Sequence, residues 1–158
     1  VNAGSSRLFG AEVEASAKFT EATNGFVSVG LVNTKFEDFN TAAFGDLSGF
    51  EFPEAPDLTF ALGFDYGRDL GFFAGFDARY VWDYLARDIQ NAPADLVGDY
   101  AVVNLRAGWA FEKWRLTVFS DNALDQEYFV YRDVIGTFDC CAKLGARRVT
   151  GVTVSYRR

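Results

Sequence analysis

Apolar and polar residues alternate with a period of two over most of this chain, and the clearest run lies between Tyr100 and Tyr128. There Val103, Leu105, Ala107, Trp109 and Phe111 share one face, while Asn104, Arg106, Gly108 and Ala110 share the other. After a turn of a few residues, Trp114, Leu116 and Val118 alternate with Arg115, Thr117 and Phe119. Successive side chains of a strand point to opposite sides, so this pattern predicts a β-hairpin. One face is aliphatic and aromatic along its whole length. A strand of this length suits a tilted membrane crossing, which takes about 9–11 residues.

Seven segments carry the same alternation: residues 7–20, 25–36, 58–67, 71–84, the two strands of the hairpin, and 148–158. The first sets Phe9, Ala11, Val13, Ala15, Ala17 and Phe19 against Gly10, Glu12, Glu14, Ser16 and Lys18. The third and fourth set Phe60, Leu62, Phe64, Phe72, Phe76 and Tyr80 against Gly63, Asp65, Gly75, Asp77 and Arg79. The connections alternate in length: short at 21–24, 68–70 and 112–113, long at 37–57, 85–98 and 121–146. Tight turns at one end and extended loops at the other are the habit of outer-membrane barrels, whose periplasmic turns are short. The expected fold is therefore all-β, an antiparallel transmembrane barrel segment of about seven long strands.

Complete single-chain bacterial barrels have even strand numbers, and an open sheet edge in lipid costs several kcal/mol for each unpaired backbone group. Seven strands and a first residue Val1 rather than Met thus lead to the expectation of a piece of a larger barrel. Composition agrees. The chain holds 17 Phe, 7 Tyr and 3 Trp, with only 3 Pro to interrupt strands. A formal charge of −7 lacks the basic face of a nucleic-acid binder, so no nucleic-acid partner is expected.

Chemistry-bearing constellations are sparse. There is no His, so Ser–His–Asp and Cys–His sites are unavailable within this segment and no enzyme activity, cofactor or metal site is expected. Glu12 and Glu14 share a face and could form an acid–base pair, but no nucleophile accompanies them. The simpler reading puts Glu12, Glu14, Asp77, Arg79, Arg106 and Arg115, with Asp65, on a hydrated lumen face, where cross-strand ion pairs could hold something seated inside the barrel. Aromatic residues near strand ends (Tyr66, Phe72, Tyr80, Trp82, Tyr84, Trp109, Trp114, Tyr156) read as membrane-interface girdles. Of the loop aromatics, Trp82, Tyr84 and Tyr131 are also candidate ligand contacts by stacking. Residues 120–125 have the acidic density of a cation loop without its glycine or closing Glu, and read as a turn entering a loop. The long loops are rich in Asp and Glu, among them Glu51, Asp57, Asp88 and Asp95, as befits a solvated surface. Cys140 and Cys141 are adjacent; a trans peptide holds their Cα atoms about 3.8 Å apart, short of the usual disulfide span.

Several stretches, in order, resemble the barrel of TonB-dependent outer-membrane receptors. Val103-Asn104-Leu105-Arg106-Ala107-Gly108-Trp109 resembles a VNLRxGY strand. The stretch from Trp114 to Tyr128 resembles WxLxLFxxNLxDxxY, with Asn122, Leu124, Asp125 and Tyr128 in place. There the order Ala123-Leu124 replaces the more usual Leu and small residue. Gly10-Ala11-Glu12-Val13-Glu14 resembles GxExE, and Gly145-Ala146-Arg147-Arg148 resembles GxPR with Ala for Pro. These barrels usually end in an aromatic residue, whereas Arg158 stands here, which puts recognition by the insertion machinery in question unless further residues follow.

The resemblance implies that residues 1–158 are the C-terminal part of a barrel of about 22 strands, closed by a plug domain that lies outside this chain. It further implies a bacterial outer-membrane location among lipid and lipopolysaccharide, coupling to TonB, and uptake of a small-molecule ligand, by base rate a ferric siderophore. Two alternatives stand beside it: a structural or small-pore outer-membrane barrel, and a soluble lipocalin-like barrel whose apolar face points inward.

Overall fold

A computed structural model describes residues 4–42, 45–86, 96–135 and 138–157. Every regular element among them is a strand. The elements are β1 (Ser5–Thr20), β2 (Thr23–Asp38), β3 (Asn40–Thr41), β4 (Gly45–Asp46), β5 (Leu58–Gly67) and β6 (Gly71–Val81). They continue with β7 (Tyr100–Ala110), β8 (Trp114–Asp121), β9 (Phe129–Ile135), β10 (Phe138–Leu144) and β11 (Val149–Tyr156). Seven of these build one antiparallel sheet in the order β1-β2-β5-β6-β7-β8-β11, a partial barrel wall whose neighbours in space follow chain order. These are the seven segments the alternation predicts.

The differences from expectation lie in the connections. The long loop after β2 contains the small β3–β4 hairpin, and the loop after β8 contains the β9–β10 hairpin, neither of which is expected from the sequence pattern. The fourth segment also ends at Val81 rather than Tyr84. Beyond it the backbone turns away, and Leu85 makes an isolated bridge to Leu96.

Register aligns like with like across the sheet. Val13 pairs with Val29, Val29 with Phe60, Phe60 with Tyr80, and Tyr80 with Ala101 along one face. On the other face Asp65 is opposite Gly75, and Gly75 is opposite Arg106. Because side chains alternate strictly, a slip of one residue in any pair would exchange the faces, so this pattern fixes the register.

The apolar face is the exposed one. Phe72 is 49% exposed and its neighbour Phe73, on the polar side, only 5%. Phe64, Tyr66, Leu105 and Trp109 are likewise exposed on that face, while the edge strand β1 is open on both sides. A barrel with its apolar face turned inward, the lipocalin-like alternative, is not the arrangement found. Among the described residues, buried apolar side chains lie toward the long-loop end at Leu47, Val81, Leu85, Ala86 and Val97, and toward the short turns at Ala22, Phe73 and Ala110. At the long-loop end the rings also cluster. Phe36 stacks there between Phe39 and Phe52, with each pair of centroids 4.5 Å apart.

Aromatic rings on the polar face lie over glycines of the next strand. Phe26 covers Gly63, Phe73 covers Gly108, and Phe119 covers Gly151. A Cβ at Gly108 would collide with both the Phe73 ring and the backbone of Leu116. These glycines let bulky rings lie flat against the wall, covering strand backbone that lacks side chains of its own.

Candidate functional site

Two polar clusters join the strands on the face opposite the apolar one. The first sits mid-wall on β5, β6 and β7. Arg106 Nη2 donates to Asp65 Oδ1 at 2.7 Å, and its Nη1 donates to Asp77 Oδ1 at 3.2 Å. Asn104 Nδ2 donates to Asp77 Oδ2 at 2.8 Å. Arg106 and Asp65 are two strands apart, and they meet because Gly75 lies between them. A side chain on Gly75 would run into Asp65 Oδ1 and the Arg106 Nε. All three charged side chains remain partly open to solvent, at 39% for Arg106, 49% for Asp65 and 35% for Asp77. Water therefore weakens these pairs relative to buried ones.

Nearer the short turns, the Arg115 guanidinium lies over the Phe73 ring at 3.6 Å from its centroid. This is a cation–π contact rather than an ion pair. The sequence places Glu12, Glu14 and Arg79 on the same face, and the register agrees: Glu12 is opposite Gly30, Glu14 opposite Ser28, and Arg79 opposite Ala61 and Val102. Those three stand apart from the Asp65–Arg106–Asp77 group. Only part of the expected lumen set is thus brought together. Asn104 joins it without having stood out in the sequence, because an amide carries no charge signal.

The second cluster is a clasp at the base of the loop between β8 and β11. Asn122 and Asp125 both have positive φ, 46° and 53°. Asn and Asp tolerate this left-handed region best among residues with side chains, so the two positions set the turn. Asn122 is 2% exposed. Its Nδ2 donates to the carbonyls of Gln126 and Ala146 at 2.8 and 2.9 Å, and its Oδ1 accepts from Gln126 N at 2.9 Å. Arg147 donates to both oxygens of Asp125, at 3.1 and 2.9 Å, and also pairs with Glu127. Arg148 N donates to Asp125 Oδ1 at 3.0 Å. The Asp-rich stretch 120–125 is therefore a turn whose carboxylate is taken up by arginine, as its reading as a loop entry anticipates.

The Arg147 side chain and the Arg148 N–H hold the Asp125 carboxyl down at about 2, from an ordinary 3.8. A carboxylate whose value is depressed in the fold stabilises it above the unfolded value, and that contribution is lost as pH falls through the folded one. Acidification from 4 toward 2 should loosen the loop base in wild type, while Asp125→Asn should be loose already at neutral pH and change little over that window. Amide hydrogen exchange of residues 145–148 across this range is the check.

The loop aromatics divide. Trp82 is 47% exposed and sits edge-on to Tyr80, with centroids 6.1 Å apart, on the apolar face. Tyr84 does not continue that row. It is half-buried, its hydroxyl donates to the Val130 carbonyl at 3.1 Å, and burial raises its pKa. It fastens the β9–β10 hairpin to the wall. Tyr131 lies in β9 opposite Lys143. Tyr100 and Tyr128 stack at 4.4 Å beside this hairpin. At the short-turn end, Tyr66 stands 6.3 Å from Phe72 and Trp114 stands 4.6 Å from Tyr156, all on the apolar face.

Cys140 and Cys141 are consecutive strand positions in β10, where the register shifts between Asp139 and Cys141. Their side chains, like Asp88, Asp95 and Arg158, lie outside the described residues. Among the described residues no group of three or more His, Cys, Asp or Glu could hold a metal ion.

Comparison with known proteins places this geometry. A family model described as "TonB dependent receptor-like, beta-barrel" matches residues 1–123. The structure of the ferric yersiniabactin uptake receptor FyuA from Yersinia pestis is similar at a TM-score of 0.81 and 21% identity, over 98% of this chain and 24% of that one. The siderophore receptor PiuA from Acinetobacter baumannii is similar at 0.77 and 18%, over 94% of this chain and 21% of that one. The ferric-catecholate import receptor Fiu from E. coli K12, in its closed form, gives 0.77 and 18%, over 96% and 21%. At such identities the likeness is one of fold, and the chain spans about a quarter of the first of these proteins.

Proposed function

The chain belongs to the TonB-dependent receptor-like β-barrel family, and on that premise we propose that it forms part of the outer-membrane wall of a receptor driving active uptake of a scarce small ligand. In this reading residues 1–158 are the C-terminal part of the barrel, and a plug domain and the segment that meets TonB belong to other parts of the protein. The single observation that supports it best is the pairing of a continuous exposed apolar face with short turns at one end and long loops at the other. Lipid and lipopolysaccharide would cover the apolar face, and the polar face, with Glu12, Glu14, Asp77, Arg79, Arg106 and Arg115, would look toward the lumen and the plug.

The ligand we assign is a ferric siderophore. Support comes from the neighbours, three of which are described as receptors for siderophores or ferric chelates. Trp82, Tyr84 and Tyr131 are the proposed loop aromatics near its entry path, with Tyr84 acting by holding the β9–β10 hairpin rather than by direct contact.

The test is growth and uptake. A deletion strain should lose growth on one ferric siderophore as sole iron source and lose energy-dependent accumulation of radiolabelled iron from it. Both should return with the full-length gene and fail to return when TonB is absent. Undiminished accumulation in the deletion strain, across a panel of ferric siderophores, would remove the siderophore assignment.

A further inference from the structure

The two polar clusters are not separate. Asn104 bridges them: its Nδ2 donates to Asp77 in the wall at 2.8 Å, and its Oδ1 accepts from the Asn122 N–H at the loop base at 3.0 Å. A carboxylate can only accept, so the amide's NH₂ end must face Asp77, which leaves the oxygen for Asn122. Asp77 in turn is oriented by Arg106, and Arg106 by Asp65. Beyond Asn122 the same chain of bonds reaches Gln126 and Ala146, the two sides of the long loop's neck. A continuous hydrogen-bonded path thus runs from β5 through β6 and β7 to the loop that carries β9 and β10.

We propose that Asn104 is a positioning residue that makes the seating of the loop's neck, residues 122–126 and 145–148, depend on the state of the Asp65–Arg106–Asp77 group. Anything that draws Arg106 away from Asp77 frees that carboxylate to turn. Asn104 then loses the partner that sets its amide, and the Asn122 N–H loses its acceptor. Asp65 and Arg106 are open enough for a charged group in the lumen to compete for them. That such an occupant is a plug or ligand rests on the proposed function; the link itself does not. Coupling of this kind needs a demonstrated response at one site to a change at the other, not mere adjacency.

The experiment is amide hydrogen exchange, resolved to single residues, on the full-length protein in nanodiscs without ligand. Arg106→Gln should speed exchange at Asn122 and Gln126 by up to about tenfold, the effect of losing the one neutral hydrogen bond from the Asn122 N–H to the Asn104 amide oxygen. Asn104→Leu should do the same, and the double variant should exchange no faster than either. The Ala123 amide, bonded to the Val103 carbonyl at 2.7 Å, should be unchanged in all three. Should Arg106→Gln fail to assemble, Asp77→Asn serves, because it keeps the shape but lets the Asn104 amide invert; the same acceleration is expected.

Unchanged protection at Asn122 in Arg106→Gln, or in Asp77→Asn where that variant is used, would overturn the proposal. So would equal acceleration at Ala123, which would mean general loosening of the strand. Additive effects in the double variant would also overturn it. None of these readouts depends on transport, so failure here leaves the uptake reading standing.

Discussion

Replacing Leu105 with Arg is expected to destabilise the full-length barrel by about 2–4 kcal/mol, the cost of a cation on the lipid face near the bilayer midplane. Leu105 is the middle residue of β7, opposite Phe76 and Ser120, and is 47% exposed on the apolar face. The same change at Trp114, in the first position of β8, should cost only about 0–1 kcal/mol because the interface is near. Ser28→Arg is the control. Ser28 lies on the polar face opposite Glu14, so a cation there gains a carboxylate neighbour and should be tolerated. Denaturant titration of the heat-modifiable folded band, run for the three variants side by side, gives the ranking. A soluble protein would show no such dependence on depth and face.

Arg106→Glu should come next in effect. It would set a third carboxylate beside Asp65 and Asp77, removing bonds of 2.7 and 3.2 Å and adding like-charge repulsion across three strands. Both pairs are substantially solvated, so the loss is put at roughly 1–3 kcal/mol rather than the larger figure for a buried pair. Combining it with Asp65→Lys should recover part of that loss by restoring one pair in reverse. A lowered denaturation midpoint in the single variant, recovered in the double, is the expected result. An unchanged midpoint in Arg106→Glu would mean that the group contributes nothing to holding the wall.

The wall was legible in the sequence because a helix or an irregular loop does not alternate strictly over eight or more residues, whereas a two-faced strand must. Glu12, Gly10 and Glu14 on one side of β1, with Phe9, Ala11 and Val13 on the other, leave no freedom about faces. The hairpins within the loops were not legible, for two separate reasons. Strands β3 and β4 have two residues each, too few for any period to appear. In β9, Phe129-Val130-Tyr131-Arg132 is apolar on both phases until Arg132, so alternation gives no signal. Tyr84 continues the outward row of Tyr80 and Trp82 by spacing alone, and only its bond to the Val130 carbonyl shows that it turns inward.

The polar clusters were half legible. Residue type put Asp65, Asp77 and Arg106 on one face, but their pairing depends on register, and on the gap that Gly75 leaves between β5 and β7. Sequence spacing contains neither. Likewise Asn122 and Asp125 looked like an acidic turn. Their left-handed backbone and their grip on Ala146, Arg147 and Arg148, more than twenty positions along the chain, follow only from the return of β11 to the side of β8.

The central claim is that the apolar face of this wall meets lipid and the charged face meets the lumen. A nitroxide scan of residues 102–107, stopping short of Gly108 where no side chain fits, tests it directly, in the full-length receptor within outer-membrane lipid and with Cys140 and Cys141 replaced by Ser. Positions 103, 105 and 107 should collide preferentially with oxygen, and positions 102, 104 and 106 with a water-soluble nickel complex, alternating at every step. The opposite phase, or no alternation along β7, would contradict the account.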